Sequence, residues 1–330
     1  MNMRKRNNYL LLSLCLMVAI VLGACSKAAE PAETNETSSK DNGLVIENRG
    51  NTFTYNEAPK RAVALNQHAT EIMLALGLED SMVGTAYLDD KILPKYKDAY
   101  EGIPVLSKQY PSKEVFLQQE PDFAYAGWKS AFTEKTLGTV EDLQELEINT
   151  YIQESSNISG PTLDDVYKDI ENIGKIFHVE NKAEEVIQTM KADINKTIEK
   201  VGPIDKKQPV FVYDSGQETP FTAANNYLTH LIAIAGGKNI FDDIDKGWAE
   251  VSWEEVVNRN PEVIVIIDYG AETVEQKKEF LLSKQELADV SAIKNERFIV
   301  LPLSAGAEGI RAPMSLQTLA EGFYPDKFKK

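Results

Sequence analysis

The sequence predicts an α/β protein that is made of two similar lobes. In both halves of the chain, short apolar runs typical of buried strands alternate with segments of helical periodicity. One phrase also occurs twice, as PSKEVFLQQEPDFAYA at 111–126 and as VSWEEVVNRNPEVIVI at 251–266. Between the two halves, apolar residues recur every three or four positions, which is the spacing of one helical face.

The start of the chain has the layout of an export signal. A basic stretch at 4–6 precedes an apolar run at 9–22, and the small residues of LGAC lead to Cys25. This pattern resembles a bacterial lipobox, which implies cleavage after residue 24 and a lipid such as palmitate on Cys25. The alternatives are an ordinary secretory signal or a single membrane anchor. The apolar run is shorter than the ~20 residues that a spanning helix needs.

Removal of residues 1–24 leaves an acidic chain with one cysteine. It has 32 Lys and Arg against 51 Asp and Glu, a net charge of −19, because the removed segment holds three of the 35 basic residues. Such acidity argues against nucleic acid as a partner. With Cys25 lipidated, no thiol remains for a disulfide, catalysis or metal binding. Residues 25–43 are small and polar without periodicity, so they are predicted to be a flexible tether.

Each lobe is predicted to contain parallel strands with helices between them. The first lobe, 44–160, has apolar runs at 61–66, 82–86, 122–127 and 148–153, with a helix at 69–78. The second lobe, 181–330, has such runs at 209–214, 262–268 and 297–303, with a helix at 226–237.

A single connecting helix is predicted at 161–180. Its apolar stripe is Leu163, Val166, Ile170, Ile173 and Phe177. Thr162 is a suitable N-cap for this helix. A second apolar stripe follows at 183–201. An ordered helix between the lobes would hold them at a nearly fixed angle.

These features together resemble the class III substrate-binding proteins of ABC importers, which capture vitamin B12, ferric siderophores or haem. The resemblance covers residues 44–330 as well as the lipobox and tether, and it implies two Rossmann-like lobes. In that family each lobe offers a Glu of the repeated phrase to an Arg pocket on the permease. By position these are Glu114 and Glu254. The alternative is that both acids only favour the positive end of a helix dipole.

Ligands of two-lobed α/β proteins bind at the carboxyl ends of the strands. Polar and aromatic residues that follow predicted strands, or lie near the crevice, are therefore expected to contact the ligand: His68, Tyr87, Trp128, Lys129, Phe221, Trp248, Tyr269 and Arg311. Asn66, Gln67, Asp89, Asp214, Ser304 and Glu308 occupy similar positions.

Each of these residues also has a purely structural interpretation. His68 is equally well explained as a helix-start residue that bonds to backbone, Trp128 and the tyrosines as core residues, and Arg311 as the ion-pair partner of Glu308. A bare metal ion is not expected, because the other two histidines, His178 and His230, are predicted at a helix end and in a helix interior. An iron-containing ligand would arrive already chelated.

The predicted function is therefore that of a lipid-anchored binding protein outside the cytoplasm, on a Gram-positive surface or in a periplasm. It would deliver an iron chelate, or alternatively a cobamide or haem, to a permease dimer with its ATPase. No cofactor and no enzyme activity are expected, since the chain lacks a G-x-S-x-G elbow, H-E-x-x-H and a P-loop. A surface hydrolase or an adhesin is the less favoured alternative.

Overall fold

Two sheets of parallel strands organise the protein. The structure is a computed structural model that describes residues 43–329, so the predicted signal peptide, Cys25 and all but the last residue of the predicted tether lie outside the described residues. The strands are β1 (Leu44–Asn48), β2 (Asn51–Tyr55), β3 (Ala62–Leu65), β4 (Met82–Ala86), β5 (Val105–Ser107), β6 (Phe123–Ala126), β7 (Asn149–Ile152), β8 (Gln208–Tyr213), β9 (Phe221–Ala223), β10 (Gly237–Asn239), β11 (Trp248–Glu250), β12 (Val263–Asp268) and β13 (Phe298–Pro302).

Helices cover the faces of both sheets. The α-helices are α1 (Gln67–Ala75), α2 (Lys97–Glu101), α3 (Lys113–Leu117), α4 (Val140–Gln144), α5 (Leu163–Ile176), α6 (Glu180–Val201), α7 (Tyr227–Ile234), α8 (Trp253–Arg259), α9 (Val274–Ser283), α10 (Ser291–Lys294), α11 (Leu303–Gly306), α12 (Ala312–Phe323) and α13 (Pro325–Phe328). No described helix is both long enough and apolar enough to cross a membrane.

The first sheet has the strand order β5-β4-β3-β6-β7, with every neighbouring pair parallel. Its central strand β3 is fully buried along its length. The second sheet has the order β10-β8-β12-β13, again with parallel pairs only. Parallel strands need crossover connections, and helices supply them here. The predicted fold class, an α/β protein with two Rossmann-like lobes, is confirmed.

The predicted strands and the two predicted helices of the lobes occur at the expected places, with small shifts at their ends. The run at 82–86 is strand β4 without any shift. Two antiparallel pairs, β1 with β2 and β9 with β11, were not predicted. Alternating polar residues in LVIEN and NTFTY give these strands one exposed face, unlike the fully apolar runs of the main sheets.

The connection between the lobes differs from the predicted single helix at 161–180. Helix α5 lies within that range, but it packs on the first sheet, where the ring of Phe177 just after it lies 5.3 Å from that of Phe123. The chain then reverses at His178, whose φ is 55°. The longer helix α6 follows and contacts α5 as well as α12 of the second half. The sequence analysis found the apolar stripes of both helices, but a stripe marks only a buried face, so it did not show which helix contacts both lobes.

Candidate functional site

The carboxyl ends of both sheets meet at one cavity of about 260 Å³. This is the crevice that two-lobed α/β proteins use for ligands. Its walls are formed by Trp128, Ser156, Asp214, Phe221, Asn226, Leu228, Trp248, Ile267, Tyr269, Leu303, Gly306, Ala307 and Glu308. Four of the residues expected to bind ligand are among them, namely Trp128, Phe221, Trp248 and Tyr269.

Aromatic rings from both lobes line the cavity. Phe221 on β9 and Trp248 on β11 stack nearly in parallel, with an interplanar angle of 15° and ring centroids 5.8 Å apart. The antiparallel pairing of these two short strands places the rings side by side. Trp128 comes from the first lobe, immediately beyond β6, and is half-buried. Flat apolar faces on the two sides of a crevice suit a planar ligand or ligand group.

A hydrogen-bonded acid stands at the end of β8. Asp214 is buried, and its Oδ2 accepts hydrogen bonds from the Tyr269 hydroxyl at 2.7 Å and the Ser215 hydroxyl at 2.9 Å. Among the described residues no hydrogen bond reaches Oδ1 of Asp214. Burial, together with the hydrogen bond to Asp214, raises the pKa of Tyr269 to about 12. Tyr269 therefore acts as a neutral donor to a carboxylate.

A second acid, Glu308, enters the cavity from the loop after α11. Burial raises the pKa of Glu308 to about 7, although hydrogen bonds from Ser156 and from its own backbone amide oppose the shift. The nearby carboxyl of Asp169 raises it further. The carboxyl of Glu308 is therefore poised to change its charge near neutral pH.

His68 lies behind the cavity wall rather than in it. It is 2% exposed, and its ring centroid is 5.0 Å from that of Trp128. Its Nε2 is 3.2 Å from the hydroxyl oxygen of Ser156. Burial lowers the pKa of His68 to about 4, so its ring is neutral at physiological pH. Gly127 packs against the ring, and a Cβ at that position would stand 2.2 Å from Nε2, so only glycine fits there.

Tyr87 and Lys129 are also outside the cavity lining. Tyr87 has a φ of 59° and packs edge-on against Tyr110, with centroids 4.7 Å apart, and against Trp128. It supports Trp128 from the side. Lys129 directly follows Trp128 but is exposed, because it opens a short 3₁₀ turn at the surface.

Arg311, which was also expected to contact the ligand, does not line this cavity. It is 5% exposed, and its Nε and Nη2 bind the two oxygens of Glu71 at 2.7 and 2.6 Å. Its Nη1 donates to Ser304 and Asp90, and Nη2 also donates to the Lys91 carbonyl. All five guanidinium N–H groups are therefore used. The partner is not Glu308 but Glu71 on α1, so the ion pair joins the two lobes.

Two polar lining residues, Ser156 and Asn226, were missed as candidates. Ser156 lies four positions beyond the end of β7. The rule that selected the other candidates, a polar residue just past a strand, would have included it. Asn226 is the N-cap of α7 and accepts from the Thr229 amide at 3.1 Å. Its place in the wall depends on the β9–β11 pair, which the sequence pattern did not show.

Glu114 and Glu254 occupy equivalent positions in the two lobes. Each is the second residue of a helix whose N-cap is a serine, Ser112 in α3 and Ser252 in α8. Both glutamates are exposed, and no ion pair among the described residues involves either. Since α3 and α8 precede β6 and β12, both helices start at the carboxyl edge of their sheet. The glutamates thus flank the crevice on the same side of the molecule.

No group of three or more potential metal ligands occurs among the described residues. His178 is exposed in the turn between α5 and α6, and His230 is half-buried within α7. Neither borders the cavity.

Comparisons with known proteins agree with this architecture. The sequence profile of the family described as periplasmic binding protein matches residues 63–305. YvrC of Bacillus subtilis, described as an uncharacterized ABC transporter substrate-binding lipoprotein, is 26% identical over 326 residues and matches 96% of each chain. The petrobactin-binding protein YclQ of the same bacterium is 23% identical over 304 residues, covering 89% of this chain and 90% of its own.

A solved structure extends the match to three dimensions. The periplasmic binding protein from Veillonella parvula has a TM-score of 0.80 and 33% sequence identity, covering 86% of this chain and 97% of its own. The profile match spans most of the chain, and members of this family carry ligands without catalysing reactions. The chain therefore belongs to the class III periplasmic binding proteins of ABC importers.

Proposed function

We propose that this protein captures an iron chelate of the ferric siderophore type between its lobes and delivers it to a dimeric permease with its ATPase. The observation that carries this proposal is the cavity itself, which aromatic rings from both lobes line together with the acids Asp214 and Glu308. YclQ, which is similar over nearly its whole length, is described as binding petrobactin.

A cobamide or a haem-like tetrapyrrole is the second candidate. The stacked pair Phe221 and Trp248 offers a flat face, which suits a planar macrocycle as well as a chelate. The cavity, at about 260 Å³, is smaller than the roughly 300–1,000 Å³ usual for drug-sized ligands. Either ligand would therefore insert one part between the lobes and leave the rest at the mouth.

Uptake by cells tests the proposal. In a strain that lacks this chain, transport of at least one ferric chelate should be lost, and it should return when the chain is supplied. Haem and a cobamide serve as the second arm. Loss of cobamide or haem uptake alone would replace the iron proposal by the second candidate. Unchanged uptake of every compound would contradict both.

We also propose that Cys25 carries the lipid that holds the protein on the outer face of the plasma membrane or on the periplasmic side. Its similarity to the lipoprotein YvrC supports this anchor. The change Cys25→Ser removes the thiol that carries the lipid, so the protein should move from the membrane fraction to the medium or periplasm. Fractionation followed by immunoblotting measures this, with Cys15→Ser as the matched control. Full membrane retention of the Cys25→Ser protein would contradict the anchor.

A further inference from the structure

The charged groups that line the crevice cavity are both acidic. Asp214 and Glu308 belong to the lining, and no Lys, Arg or His among the described residues does. Two cationic residues are nearby, but neither lines the cavity. The guanidinium of Arg311 forms its ion pair with Glu71, and Lys129 is exposed at the surface. An anionic ligand would therefore lose its hydration in this cavity without meeting an opposite charge.

The buried Lys277 lies behind the wall, where its ammonium interacts with the charge of Asp214 and offsets part of it without lining the cavity. Its ammonium donates to the carbonyl oxygens of Asp214 and Ile267, the latter at 2.7 Å, and lies 4.9 Å from the ring centroid of Tyr269. These hydrogen bonds link the carboxyl ends of β8 and β12 behind the cavity wall. Lys277 is 1% exposed, so a ligand does not reach it.

The aromatic walls add a second preference for positive charge. The faces of aromatic rings carry negative electrostatic potential and attract cations within about 6 Å. Phe221, Trp248, Tyr269 and Trp128 line the same cavity as the two acids. Oδ1 of Asp214, which receives no hydrogen bond among the described residues, is an acceptor for a ligand donor. Carboxylates and ring faces in one small cavity are the chemistry that recognises ammonium and amidinium groups.

We propose that the cavity binds a cationic group of the ligand, placed between Asp214 and Glu308 and against the aromatic walls, and that it discriminates against polyanionic chelates. This inference rests on the proposed function and narrows its ligand class. Among iron chelates it favours cationic or neutral hydroxamate types over catecholates and carboxylates. It also disfavours haem, whose two carboxylates would find no cation in the lining.

The charge of Glu308 makes this recognition dependent on pH. The groups that face Glu308 are Asp169 from α5, Tyr227 from α7, His68 from α1 through Ser156, and Asp214 in the same cavity. His68 stays neutral and Tyr227 stays protonated near neutral pH, whereas burial raises the pKa of Asp169 to about 6. As pH falls through about 7, Glu308 gains a proton, so affinity for a cation should fall.

Matched chelates of different charge test the proposal on the purified protein. A cationic ferric trihydroxamate should bind at least about tenfold more tightly than an anionic ferric tris-catecholate. Asp214→Asn and Glu308→Gln should each weaken the cationic chelate by about tenfold and leave a neutral trihydroxamate nearly unchanged. Glu308→Gln should also abolish the loss of affinity between about pH 8 and pH 6. The control is Glu141→Gln, an exposed acid on α4.

Iron-free probes separate this inference from the proposed function. Phenyltrimethylammonium and benzenesulfonate present the same ring with opposite charge. Binding of the ammonium probe alone, without any iron chelate, would uphold the charge preference and overturn the iron proposal. Tighter binding of the anionic chelate and probe would overturn the charge preference. An affinity for the cationic chelate that neither Asp214→Asn nor Glu308→Gln changes would also overturn the charge preference. Melting curves of both variants show whether they remain folded.

Discussion

Replacing Arg311 with Met should lower the free energy of unfolding by about 3–5 kcal/mol, because the buried Glu71 would keep only neutral hydrogen-bond donors and lose its opposite charge. Glu71 is 1% exposed, and the guanidinium that neutralises it comes from 240 positions further along the chain. The same change should weaken ligand binding, since the pair fixes the separation of the lobes. Urea denaturation and a ligand titration measure the two effects.

Two controls isolate the buried charge in this prediction. The double variant Glu71→Leu with Arg311→Met should regain most of the lost stability, because apolar groups of similar volume replace buried pairs well. Lys60→Met breaks a pair with Glu57 in which both side chains are largely exposed, 75% and 77%, and it should leave the stability nearly unchanged. A loss below about 1 kcal/mol for Arg311→Met would show that Glu71 is relieved by water or by protonation instead.

Removing Glu114 and Glu254 together should sharply reduce transport while leaving ligand affinity intact. Each is exposed at the second position of a Ser-capped helix, one in each lobe, which suits the docking to a two-fold permease that the family resemblance implies. A desolvated ion pair that loses one partner costs about 2–5 kcal/mol. Ligand binding and uptake should be measured on the same double Ala variant, with docking followed at increasing salt because screening weakens charge contacts.

The chain contains a matched control for the docking prediction. Glu141 and Glu275 are also exposed second residues of Thr-capped helices, α4 in the first half and α9 in the second. Their double Ala variant removes the same helix-dipole interactions, so its uptake should remain near that of the parent protein. Equal losses of uptake in the two double variants would show that Glu114 and Glu254 act only as ordinary helix-start residues. Lost ligand affinity would place them in the crevice.

The sequence predicts the parts of the fold in which local pattern and burial agree. The apolar run at 262–268 became β12, all but the last residue of which is buried, because a strand covered on both faces needs no polar alternation. The position of Tyr269 after that strand placed it correctly beside the crevice. The two similar phrases gave Glu114 and Glu254 equivalent places in helices, because local capping chemistry decides where such helices begin.

The parts that were not predictable depend on partners far apart in the chain. Arg311 is polar, follows a strand and lies in a small-residue loop, which is also the pattern of a ligand contact. Only the fold shows that Arg311 already forms an ion pair with Glu71, a lone acid within an apolar helix. The sequence is equally ambiguous about His68. Only the fold shows that Gly127 and Gly309, which belong to different lobes, pack against it. Long-range contacts, rather than residue type, decide which polar group remains available.

Tryptophan fluorescence tests the location of the ligand most directly, because the chain has three tryptophans and only two line the cavity. The third, Trp253, is 5% exposed and donates to the Gln217 carbonyl away from the cavity, so it is an internal reference. The ferric chelate whose uptake depends on this chain should quench the parent protein and the Trp253→Phe variant. Quenching should be lost in the double variant Trp128→Phe with Trp248→Phe. Quenching as strong in that double variant as in the parent would place the ligand outside the crevice.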